Sequence, residues 1–160
     1  MKKRFFLFLF LFFLVPLPAY ADDDDFEDLG WVAIGVGVLA NVPFILFVKV
    51  RKYAKHFGES GTNIVRDMMP AYKPILNLHV LLNALSYTAG MTHGFMLMRY
   101  LDPISLSLAV TMTFLMISGM FLRYTSTRHT RIFNKLLHGQ LGMVILLVGL
   151  IIMHTITADD

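Results

Sequence analysis

The side chains in this sequence whose type and spacing could do chemistry are histidines buried in apolar stretches. His79 and His93 share one stretch, and His138 and His154 share another. An ionisable ring at membrane depth is costly to keep there, so its presence marks a functional site. A helix advances about 100° and 1.5 Å per residue, so the 14 positions from His79 to His93 give a phase difference of about 40° and a rise of roughly 21 Å. Both rings therefore point to one face at two depths. The 16 positions from His138 to His154 give about 160° and roughly 24 Å, which on a regular helix turns one ring to the wrong side. A bulge or bend near Gly142 or Gly149 would bring His154 back toward His93. Alternatively Met153, at about 60° from His138, offers a thioether in its place.

If the two stretches run in the same direction, His79 shares a level with His138, and His93 shares one with His154. One imidazole from each of two helices at each level is what a haem held between helices requires. The four histidines thus read as axial ligands of two b-type haems, or of one if His154 does not serve. No Asp or Glu lies within the apolar stretches. That disfavours a di-iron carboxylate site, a proton-coupled transporter and an acidic cation pathway. Cysteine is absent, which removes iron–sulfur clusters, thiolate ligation and covalently attached haem.

The elements that must position these rings are membrane helices. The chain has 160 residues, 56% hydrophobic and 16% charged, with a mean hydropathy of +0.63. Such a composition belongs to an integral membrane protein, and nothing in it points to nucleic acid. Spans are expected at about 29–48, 75–97, 104–122 and 136–156, each near the roughly 20 residues that cross a bilayer. The expected fold is therefore an all-α membrane protein, a four-transmembrane-helix bundle occupying residues 22–160. The segment 51–74 reads as a connector with a docking face, its middle able to form a short interfacial helix. Pro43 should kink the first span near Asn41, and this span, having no histidine, reads as the least involved in cofactor binding.

Residues 1–21 read as a cleaved signal peptide. Lys2, Lys3 and Arg4 precede an apolar run from Phe5 to Val15, and Ala19-Tyr20-Ala21 forms a small-x-small cleavage site. Lys49, Arg51, Lys52, Lys55, Arg66 and Lys73 lie between the first two spans, and Arg123, Arg128, Arg131 and Lys135 between the last two. By the positive-inside rule both loops are cytoplasmic. The acidic run Asp22–Asp25, the Arg99–Pro103 turn and Asp159-Asp160 then lie outside, with both mature termini extracytoplasmic and the chain in the plasma (inner) membrane. His56 and His129, in the basic loops, read as solvated. The methionines, among them Met112, read as packing, and Arg99, Arg123, Arg128 and Lys135 chiefly as topology determinants.

His79 with His93, together with Leu137-His138-Gly139-Gln140-Leu141-Gly142 and an apolar run ending at His154, resembles the di-haem cytochrome b architecture. Within it the chain looks most like the cytochrome b-561 and ferric reductase-like transmembrane domains, over about half its length, Ile75 to Ile156. The resemblance implies transmembrane electron transfer, with His79, His93, His138 and His154 as axial ligands. It also implies contact with quinone or quinol and with a redox partner, an extracytoplasmic cytochrome or reductase subunit. The chain would be an electron-transfer subunit of an oxidoreductase complex rather than a stand-alone enzyme, since the flavin and nicotinamide domain of ferric reductases is absent. The competing class is a non-redox transporter or assembly scaffold, in which the histidines bind a metal ion or pack helices.

Overall fold

The computed structural model describes residues 23–97, 102–125 and 127–158. Residues 1–22, with the expected signal peptide, lie outside the described residues, as do Arg99 and Asp159-Asp160. The described chain forms α1 (Asp23–Ala54), a 3-10 turn (Lys55–Phe57), α2 (Gly58–Met96), α3 (Pro103–Tyr124), α4 (Arg128–His138) and α5 (Leu141–Ala158), with no strand.

Burial is inverted relative to a water-soluble protein. Apart from Phe47 the buried side chains are small or polar, among them Ala33, Ala40, Ala84, Ser86, Thr111 and Ser118, while Leu39, Leu46, Phe114, Ile145 and Ile156 are exposed. A surface this apolar is compatible with contact with a lipid bilayer. By length and composition two helices can cross a membrane, within Asp28–Ala54 and Pro103–Tyr124, and a third crossing arises if the bent α4–α5 pair is one span. The α2 segment expected as a span is less apolar because it carries Asn77, His79, Asn83, Ser86, Tyr87, Thr88 and His93. Several of these turn their polar atoms to neighbouring helices or to their own backbone. Ser86 donates to the Ala33 carbonyl at 2.7 Å, Thr88 to the Ala84 carbonyl at 2.9 Å, and Tyr87 pairs with Thr113 at 3.1 Å. Among the described residues no buried side-chain nitrogen or oxygen lacks a hydrogen-bond partner.

The segment 51–74, expected as a connector, is helical almost throughout. α1 continues to Ala54, the chain reverses at Gly58 with φ +62°, and α2 runs on through Pro70 and Pro74. Only glycine adopts that φ without strain. What carries the helices this far is a seam on α1 at alternating spacings of three and four: Gly30, Ala33, Gly37, Ala40, Phe44, Phe47, Arg51 and Ala54. It meets a line on α2 at intervals of seven, Tyr72, His79, Ser86 and His93. Arg51 and Phe47 meet Tyr72, Phe44 and Ala40 meet His79, Gly37 and Ala33 meet Ser86, and Gly30 meets His93. Small residues on such a seam let two helices approach closely without a hydrophobic driving force. A strict seven-residue repeat drifts about 20° per heptad on a straight helix, and a left-handed supercoil absorbs the drift. The 40° residual between His79 and His93 is two heptads of that drift.

α3 packs on α2, α4 and α5, whereas α2 has no substantial backbone contact with α4 or α5. The fourth expected span, 136–156, is not one helix. The chain leaves helical geometry at Gly139–Gln140, and α4 and α5 meet at 43°. The bend therefore falls before Gly142 and Gly149, both of which lie inside α5. Gly139 sits at φ −95° and ψ 3°, and Gln140 starts the next helix by accepting from the Met143 N–H at 3.2 Å.

Candidate functional site: two histidine pairs across a helix gap

The four histidines meet in two pairs across the gap between α2 and α4–α5. The rings of His79 and His138 have centroids 6.3 Å apart at 81°, and those of His93 and His154 are 6.0 Å apart at 82°. His154 reaches His93 because the break at Gly139–Gln140 resets the helical phase that a continuous helix would have carried. Met153, the alternative ligand, is 52% exposed and directed away.

The histidine-free helices hold the rings. α1, expected to be least involved, seats both histidines of α2. The buried His79 ring stacks on Phe44, with centroids 4.3 Å apart, and its Nδ1 lies 3.1 Å from the Ala40 carbonyl oxygen. The Asn83 amide nitrogen lies 3.1 Å from the same Nδ1; in the tautomer with its proton on Nδ1 the ring donates to the Ala40 carbonyl and Nε2 keeps its lone pair. Asn83 is satisfied nearby, donating to the His79 carbonyl at 2.8 Å and accepting from Asn41 at 3.0 Å. Pro43 denies a helical donor to the turn of α1 that presents Ala40, although α1 remains one helix.

α3 does the same for α4 and α5. His138 Nδ1 donates to the Leu115 carbonyl at 2.9 Å, with the Ser118 hydroxyl 3.3 Å away. His154 Nδ1 lies 2.9 Å from the Ser105 hydroxyl. Ser105 belongs to the first turn of α3, where its N–H donates to the Asp102 cap at 2.6 Å. That N–H, first, and then the Ile104 N–H, the Ser105 hydroxyl and the nearby His154 hold the half-buried Asp102 carboxyl below the usual carboxylate range, against a smaller opposing effect of desolvation. Two glycines make the seats possible. A Cβ on Gly30 would lie 3.0 Å from His93 Cε1, and one on Gly119 2.8 Å from His138 Cε1. Gly90, by contrast, faces Met112 and Ala33, and Gly94, Gly142 and Gly149 face open space.

The pairs fit a bis-imidazole metal centre. Two metal–imidazole bonds in line, each about 2 Å, with a ring radius of about 1.1 Å on either side, separate the centroids by a little over ~6 Å. An imidazole whose second nitrogen donates to a carbonyl has its tautomer and orientation fixed for ligation. Directly packed helices lie 8–10 Å apart; α2 makes no substantial backbone contact with α4 or α5, an arrangement with room for a flat group between the paired rings. Among the described residues no three His, Cys, Asp or Glu side chains gather, so a closed metal site made from protein ligands alone is not built. His56 and His129 are exposed and belong to neither pair. The Arg123 guanidinium donates to Asn77, tying the basic end of α3 to α2. Compared with family models, characterised proteins and solved structures, the chain finds no match.

Proposed function

We propose that this chain is a b-type cytochrome membrane subunit that passes single electrons across the bilayer through two bis-histidine haems. His79 and His138 would hold the inner haem, and His93 and His154 the outer. The observation that carries the reading is the equal spacing of the two histidine pairs across a gap between helices that otherwise do not pack. Haem b held by these four histidines would supply one-electron exchange. The chain's own part is positional. α2 sets the two levels, about 21 Å apart along its axis. Ala40 and Leu115 fix the inner imidazoles, Ser105 fixes His154, and the apolar exterior keeps water away.

On this reading α1, α2, α3 and α5 cross the membrane as a four-helix bundle, with α4 bent away from α5 at its cytoplasmic end. α2 can do so because its polar groups are turned inward. The lysines and arginines at the α1–α2 and α3–α4 connections place those ends in the cytoplasm. Both mature termini then lie outside, in the plasma membrane, after removal of the signal peptide. Quinone on one side and a redox protein on the other complete the path; both rest on the family resemblance. Purified protein should show a Soret band, an α-band sharpened by dithionite and two haems per chain by pyridine haemochrome. A colourless preparation that binds no added haem rejects the proposal and favours a scaffold or metal-binding role.

A further inference from the structure

α4 differs from every other helix here. It is short, strongly amphipathic and set at 43° to the apolar helix that follows it. At about 100° per residue its positions divide into three arcs. Thr130, Asn134 and His138 share the arc turned to α3, where Asn134 is buried and His138 meets Leu115. Ile132, Phe133 and Leu136 share the opposite arc with the exposed His129 and are 50%, 62% and 55% exposed. Arg128 and Lys135, seven residues apart, form an exposed flank between the two. The sequence has no acidic residue from Pro103 to Ala158, so the neighbouring elements α3 and α5 supply no anion to this flank.

We infer that α4 is an interfacial helix that seats on anionic lipid headgroups. Ile132, Phe133 and Leu136 enter the acyl boundary, and Arg128 and Lys135 take the phosphates. The occupant follows from charge and continuity. An apolar arc flanked by cations is what a bilayer surface of negative potential binds. Through one bend the arc also continues into α5, whose Ile145, Leu146 and Ile152 are exposed along a helix apolar enough to lie in lipid. A protein partner would need acidic groups opposite the flank and would have to cover apolar surface already continuous with the lipid-facing side. This inference needs the membrane and not the haem, so it stands or falls apart from the function proposed above. Because His138 is the last residue of α4, the seat also sets where that ring is held.

The test uses the full chain in nanodiscs, with Phe133→Trp introduced into a Trp31→Phe background and Leu136→Trp as a second reporter on the same arc. Brominated phosphatidylglycerol should quench the reporter more strongly than brominated phosphatidylcholine at equal mole fraction. Arg128→Gln with Lys135→Gln should abolish the preference, each charge accounting for about a fivefold enrichment of the anionic lipid. Equal quenching by the two lipids overturns the headgroup preference. Absence of quenching by either, at both positions, shows the arc covered by protein, a second copy included, and overturns the inference entirely.

Discussion

If the chain holds the two haems proposed, replacing Gly119 by alanine should weaken binding of the inner one and leave the outer one unaffected. The added Cβ would stand 2.8 Å from His138 Cε1, while ordinary contact begins at 3.4 Å, so the ring must withdraw. It cannot do so freely, because its Nδ1 is held at 2.9 Å by the Leu115 carbonyl of the same helix. Functional constellations tolerate displacements of about 0.5 Å, and overpacking of this kind costs about 1–3 kcal/mol. That converts to a loss of inner-haem affinity between about 5-fold and roughly 150-fold. Gly30→Ala is the companion at the outer level, where the approach of 3.0 Å to His93 is less severe and the loss should be smaller. Gly142→Ala is the control: nothing lies within 4 Å of its Cβ position, so both haems should remain. The alanine should even favour the helix by up to about 1 kcal/mol. The assay is haem titration of purified protein, read as stoichiometry and affinity by pyridine haemochrome. Wild-type affinity at both sites in Gly119→Ala would refute the reasoning that α3 seats His138.

Three further outcomes follow from the same geometry. His79→Ala and His138→Ala should each lose the same haem, and His93→Ala and His154→Ala the other; loss of unlike haems within a pair, seen in spectra at low temperature, would break the pairing. Ser105→Ala removes a hydrogen bond worth about 0.5–1.5 kcal/mol that makes His154 a more basic ligand. The outer midpoint potential should therefore rise by up to about 60 mV, with Ser105→Thr restoring it, and redox titration gives the answer. Asp102, whose folded pKa is depressed, stabilises the α3 cap above its unfolded pKa, and this contribution disappears as pH falls through the folded value. Asp102→Asn keeps a capping side chain without the titration. Melting curves of the two proteins should converge in acid, and a constant gap between them would contradict the assignment.

The lesson of the sequence differs from helix to helix. The in-phase spacing of His79 and His93 was legible because both lie on one uninterrupted helix, where position number fixes angle. The need for a bend between His138 and His154 was legible for the same reason, since 16 residues cannot keep two rings in phase. Its place was not. Gly139, Gly142 and Gly149 are equally able to interrupt a helix, and the interruption falls at Gly139–Gln140, between the turn of α3 that seats His138 and the one that seats His154. The role of α1 is not legible from side-chain chemistry, because α1 contributes a carbonyl, a phenylalanine face and a glycine. Its three–four repeat of small residues was the available signal, and it also foretells the long hairpin that replaces the expected connector.

The sequence by itself determined the apolar character, the helical class and which side chains are candidates for ligation, because hydropathy, periodicity and side-chain chemistry are local properties. It could state that the rings of α2 share a face, but not what that face meets. The tertiary structure decided that α2 and α4–α5 stand apart with their histidines paired at two levels, and that Ala40, Leu115 and Ser105 hold three of the rings. Those partners are 39, 23 and 49 residues from the histidines they hold, and two of the three are backbone carbonyls, which every residue type possesses. No sequence pattern marks a carbonyl as special; only the packing of one helix against another selects it.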